Sequence, residues 1–456
     1  MVGHKRRMEQ QDSMEPPVAR KPRSRHKFEQ KREEILSAAT DFMNSQGAKG
    51  TTLLEVARAV DLNTTSITYY FRRKELLAAA VFERTMDRLH AMVRAAGAEP
   101  DPRSRVRRFI DLNVALRSDV ILGKARPLAS LSDLRTLEDN IRLPLERRFQ
   151  EVFRDVRAFF EGPEAGVVKD VTTARAHILL ETIFWLPIWI SHYPLDEFAR
   201  VSRRLFDILD RGIALDTAAW TPVLLADATP TEEALAAEGG TENFMRVATR
   251  LINEIGYRGA SVLRIVEELK VTKGSFYHHL DAKDDLVLEC FRRSYRRVAQ
   301  IQGAANEQGG DEWQRLSSVI ATLLDIQFDA QWPLTRTSAL QALPFNLRAE
   351  VVDRSNRTAV RFAGCLIEGA MEGSIRVVDP MIASQMIIAT LNSAFDLRKW
   401  ASRLNRRDAI GIYASTVLGG LFDPGIGPVM RLDGEGQGAG APAADGSRSR
   451  WLGWRE

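Results

Sequence analysis

The chain has 456 residues, a length that implies about three domains at roughly 150 residues each. Hydrophobic residues make up 45% and charged residues 27%, a globular balance that excludes wholesale disorder. With 64 basic and 60 acidic side chains, the formal charge of +4 does not announce a nucleic-acid binder. Two cysteines, Cys290 and Cys365, exclude a disulfide framework and a thiolate metal cluster, and they fit a reducing cytoplasm.

Residues 1–27 hold eight basic and three acidic side chains, a local charge of +5 that leaves about −1 for everything after. Pro16, Pro17 and Pro22 discourage a helix here, so the segment reads as a disordered basic arm. It lacks the apolar core of a signal peptide. The most apolar run, Ile178 to Ile190, is interrupted by Glu181 and Pro187 and is too short to span a bilayer, so it reads as a buried helix. No membrane partner is expected.

Sliding the chain against itself by 209 residues lays 35–80 on 244–289 without a gap. Nine of these 46 pairs are identical, and their placement matters more than their number. Gly47 meets Gly256, Gly50 meets Gly259, Leu54 meets Leu263, Ser66 meets Ser275 and Lys74 meets Lys283. Ile35, Ala38, Ala39, Phe42 and Met43 make one helical face, repeated by Phe244, Val247, Ala248, Leu251 and Ile252. The chain is therefore two copies of one module, and three domains become two.

Each copy reads as helix, turn, short helix, tight turn, helix. Gly47 and Gly256 close the first helix. Thr52 with Glu55 predicts a capping box for Leu53–Val60, whereas Ser261 can cap Val262–Leu269 with Arg264 in the glutamate's place. Asn63 and Thr272 are suited to cap the third helix. Two short helices joined this way form a helix-turn-helix, whose second helix enters the major groove of double-stranded DNA.

The segment Val271-Thr-Lys-Gly-Ser-Phe-Tyr-His-His-Leu280, with Lys283 and Leu286, resembles the recognition segment of the tetracycline-repressor (TetR) family. Leu62-Asn-Thr-Thr-Ser-Ile-Thr-Tyr-Tyr-Phe71, with Lys74, Leu76 and Leu77, is similar to it, departing at Thr65 and Thr68. The resemblance covers about 50 residues of each copy. It implies an all-α chain of two repeats, each a DNA-binding head followed by a helical ligand and dimerisation domain. The expected divisions are arm 1–27, first head 28–77, first regulatory domain 78–220, linker 221–240, second head 241–286, second regulatory domain 287–430 and disordered tail 431–456. Helices near 170–212 are expected to pack on those near 379–421 as a covalent pseudo-dimer; the alternative is a homodimer with four heads.

By the same resemblance, the base-facing positions are Thr64, Thr65 and Ser66 with Thr68, Tyr69 and Tyr70 in the first head. In the second they are Lys273, Gly274 and Ser275 with Tyr277, His278 and His279. Lys273 can donate to guanine O6 and N7, whereas threonine offers a hydroxyl and a methyl, so the operator is expected to hold two unlike half-sites. Lys74, Lys283 and the caps Thr52 and Ser261 are the expected phosphate contacts. Each head is itself near neutral, with seven basic and seven acidic side chains in 28–77 and again in 241–286. Long-range attraction then falls to the arm, with Arg23 and Arg25 beside the first helix.

The resemblance further implies repression relieved by a small molecule, or alternatively an activating or architectural binder, or a chain in which one head serves protein interaction. His177, Glu181, Phe184, Trp185, Ile188, Trp189 and His192 share helical spacing and Arg361 lies in the second half. They read either as a pocket for an apolar or aromatic effector or, with the greater claim, as a core and dimer stripe. No enzymatic activity, cofactor or metal is expected. Gly309-Gly310-Asp311-Glu312 resembles the diguanylate cyclase signature but sits amid helical patterning, and reads as a loop capping a helix. His278 and His279 point about 100° apart on a helix and cannot readily share one ion. The cytoplasm is the expected location. Deleting residues 2–25 is expected to weaken DNA binding and flatten its salt dependence, read by a salt titration; unchanged affinity across that titration would remove the arm from the interface.

Overall fold

In the computed structural model, residues 22–161, 169–226, 241–274, 283–329, 331–336, 343 and 345–423 are described. Among these, the regular elements are helices, with one isolated bridge between Ala214 and Ile375. Helix α1 (Pro22–Gln46) begins earlier than the arm boundary at 27 predicts. Arg23, Arg25 and Lys27 therefore belong to α1, while residues 1–21 lie outside the described residues; a truncation ending at residue 21 leaves this helix whole.

Gly47, at φ +76°, ends α1, and Ile35, Ala39 and Met43 on its predicted face are buried. Helix α2 (Leu53–Ala59) starts from the capping box, Thr52 taking the Glu55 amide while the Glu55 carboxylate takes the Thr52 amide. Asp61 then turns at φ +55° and Asn63 caps α3 (Thr64–Tyr70) through the Ser66 amide. Val56, Ala57 and Ile67 close the head's own core with Leu77 from α4 (Lys74–Gly97).

The second head repeats this geometry. Helix α9 (Thr241–Gly259) breaks at Gly256, φ +75°, and α10 (Val262–Leu269) is capped by Ser261 through the Arg264 amide. Lys270, at φ +56°, stands 209 residues after Asp61, so the same left-handed turn is held twice by residues with a Cβ. Residues 275–282 lie outside the described residues, and the head's core is closed by Leu286, Cys290 and Phe291 of α11 (Lys283–Glu307).

The remaining helices are α5 (Pro102–Ile121), α6 (Asp139–Ala158), α7 (Lys169–Trp189) and α8 (Phe198–Arg211) in the first half. The second half has α12 (Glu312–Asp329), α13 (Phe345–Glu372), α14 (Pro380–Ser393), α15 (Arg398–Ala401) and α16 (Arg406–Leu418). Whereas each head has its own core, these helices share one apolar core that runs through both halves. Helices α7 and α8 pack on α14 and α16 within the chain. Asp311 caps the start of α12 through the Gln314 amide, which explains the Gly-Gly-Asp-Glu run structurally. Among the described residues no helix is long and apolar enough to cross a membrane.

The first six residues of the expected linker are bound to the second half. The amides of Val223 and Leu225 donate to the hydroxyls of Ser318 and Thr322, one turn apart on α12, and Trp220 is buried. Serine and threonine at this spacing give an extended strand successive acceptors, a feature composition does not reveal. Residues 227–240 and the tail 431–456 lie outside the described residues.

At the seam between halves, the backbones come within hydrogen-bond reach. Ile213 N donates to Leu418 O (2.8 Å), and Leu421 N donates to Leu209 O (2.7 Å). Gly212 (φ +67°) and Gly420 (φ +91°) permit this, since a Cβ on Gly212 would lie 2.2 Å from Leu418 O and one on Gly420 2.6 Å from Asp210 O. We expect Gly212→Ala to cost about 2–4 kcal/mol, combining a left-handed residue with overpacking. Gly123→Ala, at φ +70° with open space around it, should cost about 1 kcal/mol, and denaturant midpoints compare the two directly.

Candidate nucleic-acid interface and ligand cavity

The first reading helix hangs on one anchor. Ile67 is fully buried, while Thr64 and Thr65 are exposed on the opposite face. Ser66 and Thr68 are half-buried, and the Thr68 hydroxyl donates back to Thr65 O (2.8 Å). The two tyrosines divide. Tyr69 is 76% exposed, whereas Tyr70 is half-buried and stacks on Phe28 of α1 with centroids 4.8 Å apart. Phe28 also meets Tyr69 edge-on, which joins the start of α1 to the end of the reading helix. In the second head Lys273 and Gly274 are exposed; Ser275, Tyr277, His278 and His279 lie outside the described residues.

The paired lysines reach backbone carbonyls of the same turn in both copies, one residue apart in register. Lys74 Nζ donates to Lys49 O (3.1 Å), and Lys283 Nζ donates to Tyr257 O (2.5 Å) while lying 4.2 Å from the Tyr257 ring centroid. Each lysine thus spans from the end of the reading segment to the turn before the second helix, a position from which an ammonium can reach a DNA phosphate. The Thr52 hydroxyl is engaged in its capping box, donating to Glu55 Oε2 (2.6 Å). That bond holds the Glu55 carboxyl below the usual carboxylate range.

A pair of clamps that motif reading missed links heads to regulatory helices. Asn44 Nδ2 donates to Leu128 O (2.9 Å) and its Oδ1 accepts from Ser130 N (2.9 Å). Asn253 does the same with Leu334 O (2.8 Å) and Arg336 N (2.9 Å). Thr85 and Ser294, also 209 apart, accept the amides of Ala129 and Thr335. The identity of Asn44 and Asn253 at the repeat offset was the available signal; asparagine is the side chain that can donate and accept along one strand of backbone.

The clamped first-half segment also touches the other head. Asp133 Oδ2 accepts the Ala48 amide of the first head (2.6 Å), and Arg135 Nη1 donates to Asn253 O of the second (2.8 Å). Arg348 of the second half donates to Ser45 O of the first head (2.6 Å).

Beside this segment lies a cavity of about 1370 Å³. Of the stripe at helical spacing, His177, Glu181, Phe184, Trp185 and Ile188 line it, with Phe149 and Phe153 of α6. Trp189 and Arg361 do not. Trp189 leaves helical register at the end of α7, at φ −108°, and is buried in the core; Arg361 lies on the exposed face of α13, next to the inward Phe362.

A polar cluster sits at the cavity wall. Asp396 accepts from Arg135 (2.8 Å) and Arg336 (2.6 Å), and His177 Nδ1 meets the Tyr413 hydroxyl at 3.0 Å, which in turn meets Ser393 at 3.0 Å. Burial alone would raise the Asp396 carboxyl, but Arg336 and Arg135 together hold it below the ordinary range. Burial depresses His177 to about 4, leaving it neutral at pH 7, and raises Glu181 to about 7, with Asp396 adding to the effect. Ligand atoms of His177, Glu181 and Asp396 lie within 4.8 Å of one another, but a cation there would face the two guanidinium groups already on Asp396. The arrangement suits a hydrogen-bonding, charge-bearing ligand better than an ion.

Residues 35–81 and 244–290 each match the model for bacterial regulatory proteins of the tetR family. The chain is 28% identical over 159 residues to the HTH-type transcriptional repressor DhaR of Mycobacterium sp. (strain GP1), a stretch of 34% of this chain and 79% of DhaR. It is 32% identical over 89 residues to the HTH-type transcriptional regulator RutR of Escherichia coli (strain K12), 20% of this chain and 42% of RutR. Among solved structures, AibR, crystallised with isovaleryl coenzyme A and operator DNA, is 19% identical at a TM-score of 0.33, with 39% of this chain and 97% of AibR covered.

Glu181 gives a pH dependence with a definite sign. Its value is 4.5 ordinarily and about 7 when folded, so the folded state binds the proton more tightly. Its contribution to stability is complete below pH 4.5 and is lost as pH rises through 7. Glu181→Gln should therefore raise the melting temperature at pH 8 relative to the parent chain, with the gain shrinking towards zero near pH 4.5. His177, depressed instead, penalises folding as pH falls below 6.5 and is common to both proteins, so the difference isolates Glu181.

Proposed function

The chain belongs to the TetR family of bacterial regulatory proteins and carries that family's DNA-binding domain twice, and from this premise we propose a repressor whose two heads read unlike half-sites from one polypeptide. It is a DNA-binding regulator of transcription and not an enzyme. In this reading α3 presents Thr64, Thr65, Ser66 and Tyr69 to the bases of one half-site, and Lys273 and its neighbours face the other. Lys74 and Lys283 contact phosphates, and the basic start of α1 follows the backbone or a groove edge. The seam between α7, α8, α14 and α16 serves as a dimer interface made within the chain. The chain then works where the chromosome is, in the cytoplasm.

Repression is released by a small molecule. The observation that carries this is the segment 128–137, which lines the cavity and hydrogen-bonds to both heads. A ligand that favours a different placement of this wall changes the separation of the heads, and with it their fit to successive major-groove faces roughly 34 Å apart.

Gel shifts on a footprinted operator test the reading. Lys74→Ala and Lys283→Ala should each weaken binding across sequences and lower the salt slope by about one. Lys273→Ala should relax discrimination in one half-site alone, by about 1–3 kcal/mol. If one of the two phosphate lysines is silent, one head has left the DNA. A perfect palindrome under a single chain would contradict unlike half-sites.

A further inference from the structure

We propose that the chain holds a single small anion with an apolar or aromatic body, a carboxylate in the simplest case, seated in this cavity against Arg117, and that the second half has no counterpart site. The proposal deepens the effector reading above and rests on it.

The wall is apolar on one side and basic overall. Phe149, Phe153, Phe184 and Trp185 give an aromatic surface, and nine lysine and arginine side chains face five carboxylates. Four of those nine cations are committed to carboxylates. Arg142 pairs with Asp139 and Glu146, Arg398 with Glu254, and Arg135 and Arg336 with Asp396. Arg117 on α5 shares with Arg336 and Arg348 a buried Nε without a hydrogen-bond partner, but Arg336 pairs with Asp396 and Arg348 donates to Ser45 O and Leu343 O, whereas no carboxylate pairs with Arg117 among the described residues. Burial lowers its pKa with no acid opposing the shift. A guanidinium partly withdrawn from water without a counter-ion is costly, and a carboxylate satisfies it in bidentate fashion. His177 is neutral at pH 7, and the rise of Glu181 to about 7 reduces the negative charge that would repel such a ligand.

The site is built once. In the second half, α12 and α14, which follow in the same chain order as α5 and α7, are buried along most of their length, Leu323, Ile326, Met386 and Thr390 among them. The cavity is also shared, because Asn253, Glu254 and Arg264 of the second head and Asp396 of the second half contribute to its wall. One ligand thus touches both halves, and its volume of about 1370 Å³ admits a body larger than most pockets of roughly 300–1,000 Å³ would.

Calorimetry and thermal shift on the full chain, with decanoate and 4-phenylbutyrate against their primary amides, test this. At least one acid should bind at one per chain and raise the melting temperature, and its amide should bind at least ten-fold more weakly. Arg117→Met, which keeps the apolar stem, should weaken the acid at least ten-fold and leave the amide unchanged. Failure of both acids to bind, equal binding of acid and amide, or two sites per chain would each overturn the proposal. The acid and amide comparison on the parent chain stands even if the variant does not fold. Gel shifts run in parallel separate the two readings. An acid that binds once per chain yet leaves the operator occupied upholds the site and removes the effector role. Operator binding without acid binding removes the site and leaves the regulator.

Discussion

The structure depends on two backbones meeting at the seam between Leu209–Ala214 and Leu418–Leu421. Hydrogen bonds cross it in both directions, and Gly212 and Gly420 make room by having no Cβ. That approach lets α7 and α8 lie against α14 and α16 and fuse two regulatory domains into one apolar core. Charged pairs line the seam's edge, Arg376 with Asp207 and Arg204 with Asp379. These pairs are partly exposed and contribute modestly, whereas apolar burial along the helices supplies most of the stabilisation.

A fused core changes what a repeat protein can do with asymmetry. In a symmetric dimer both copies of a residue carry the same burden. Here the first copy keeps His177 and Glu181 beside a cavity, while Met386 and Thr390 in the second are packed. The heads diverge in the same way, on a common scaffold of caps and left-handed turns. Scaffold residues recur because backbone geometry demands them twice. Residues on the exposed face of α3 and at the cavity wall are free to differ because nothing in the fold requires them to match.

The clamps show how the cavity and the heads are joined mechanically. Asn44 and Asn253 each donate to and accept from one strand of backbone, and Arg135 bridges from Asp396 in the polar cluster to Asn253 O. The path from cavity to head is therefore short and polar. Directional hydrogen bonds hold this arrangement more sharply than apolar contacts alone would.

Much of this was legible in the sequence. The 209-residue repeat, the glycine stops, the Thr52 and Glu55 box, the Asn63 cap and the apolar face of α1 follow from local rules that act over a few residues. Such rules decide which helices form and how heads are built. What they could not reach were relations between distant segments. Pro22 looked like a helix breaker and yet lies within the span of α1. Trp189 shared a spacing with His177 and Trp185 but not their surroundings, since α7 ends there. The embrace of the halves, the linker strand on Ser318 and Thr322, and the unpaired Arg117 beside a cavity all depend on packing across more than 90 residues of chain, which no window of local periodicity contains.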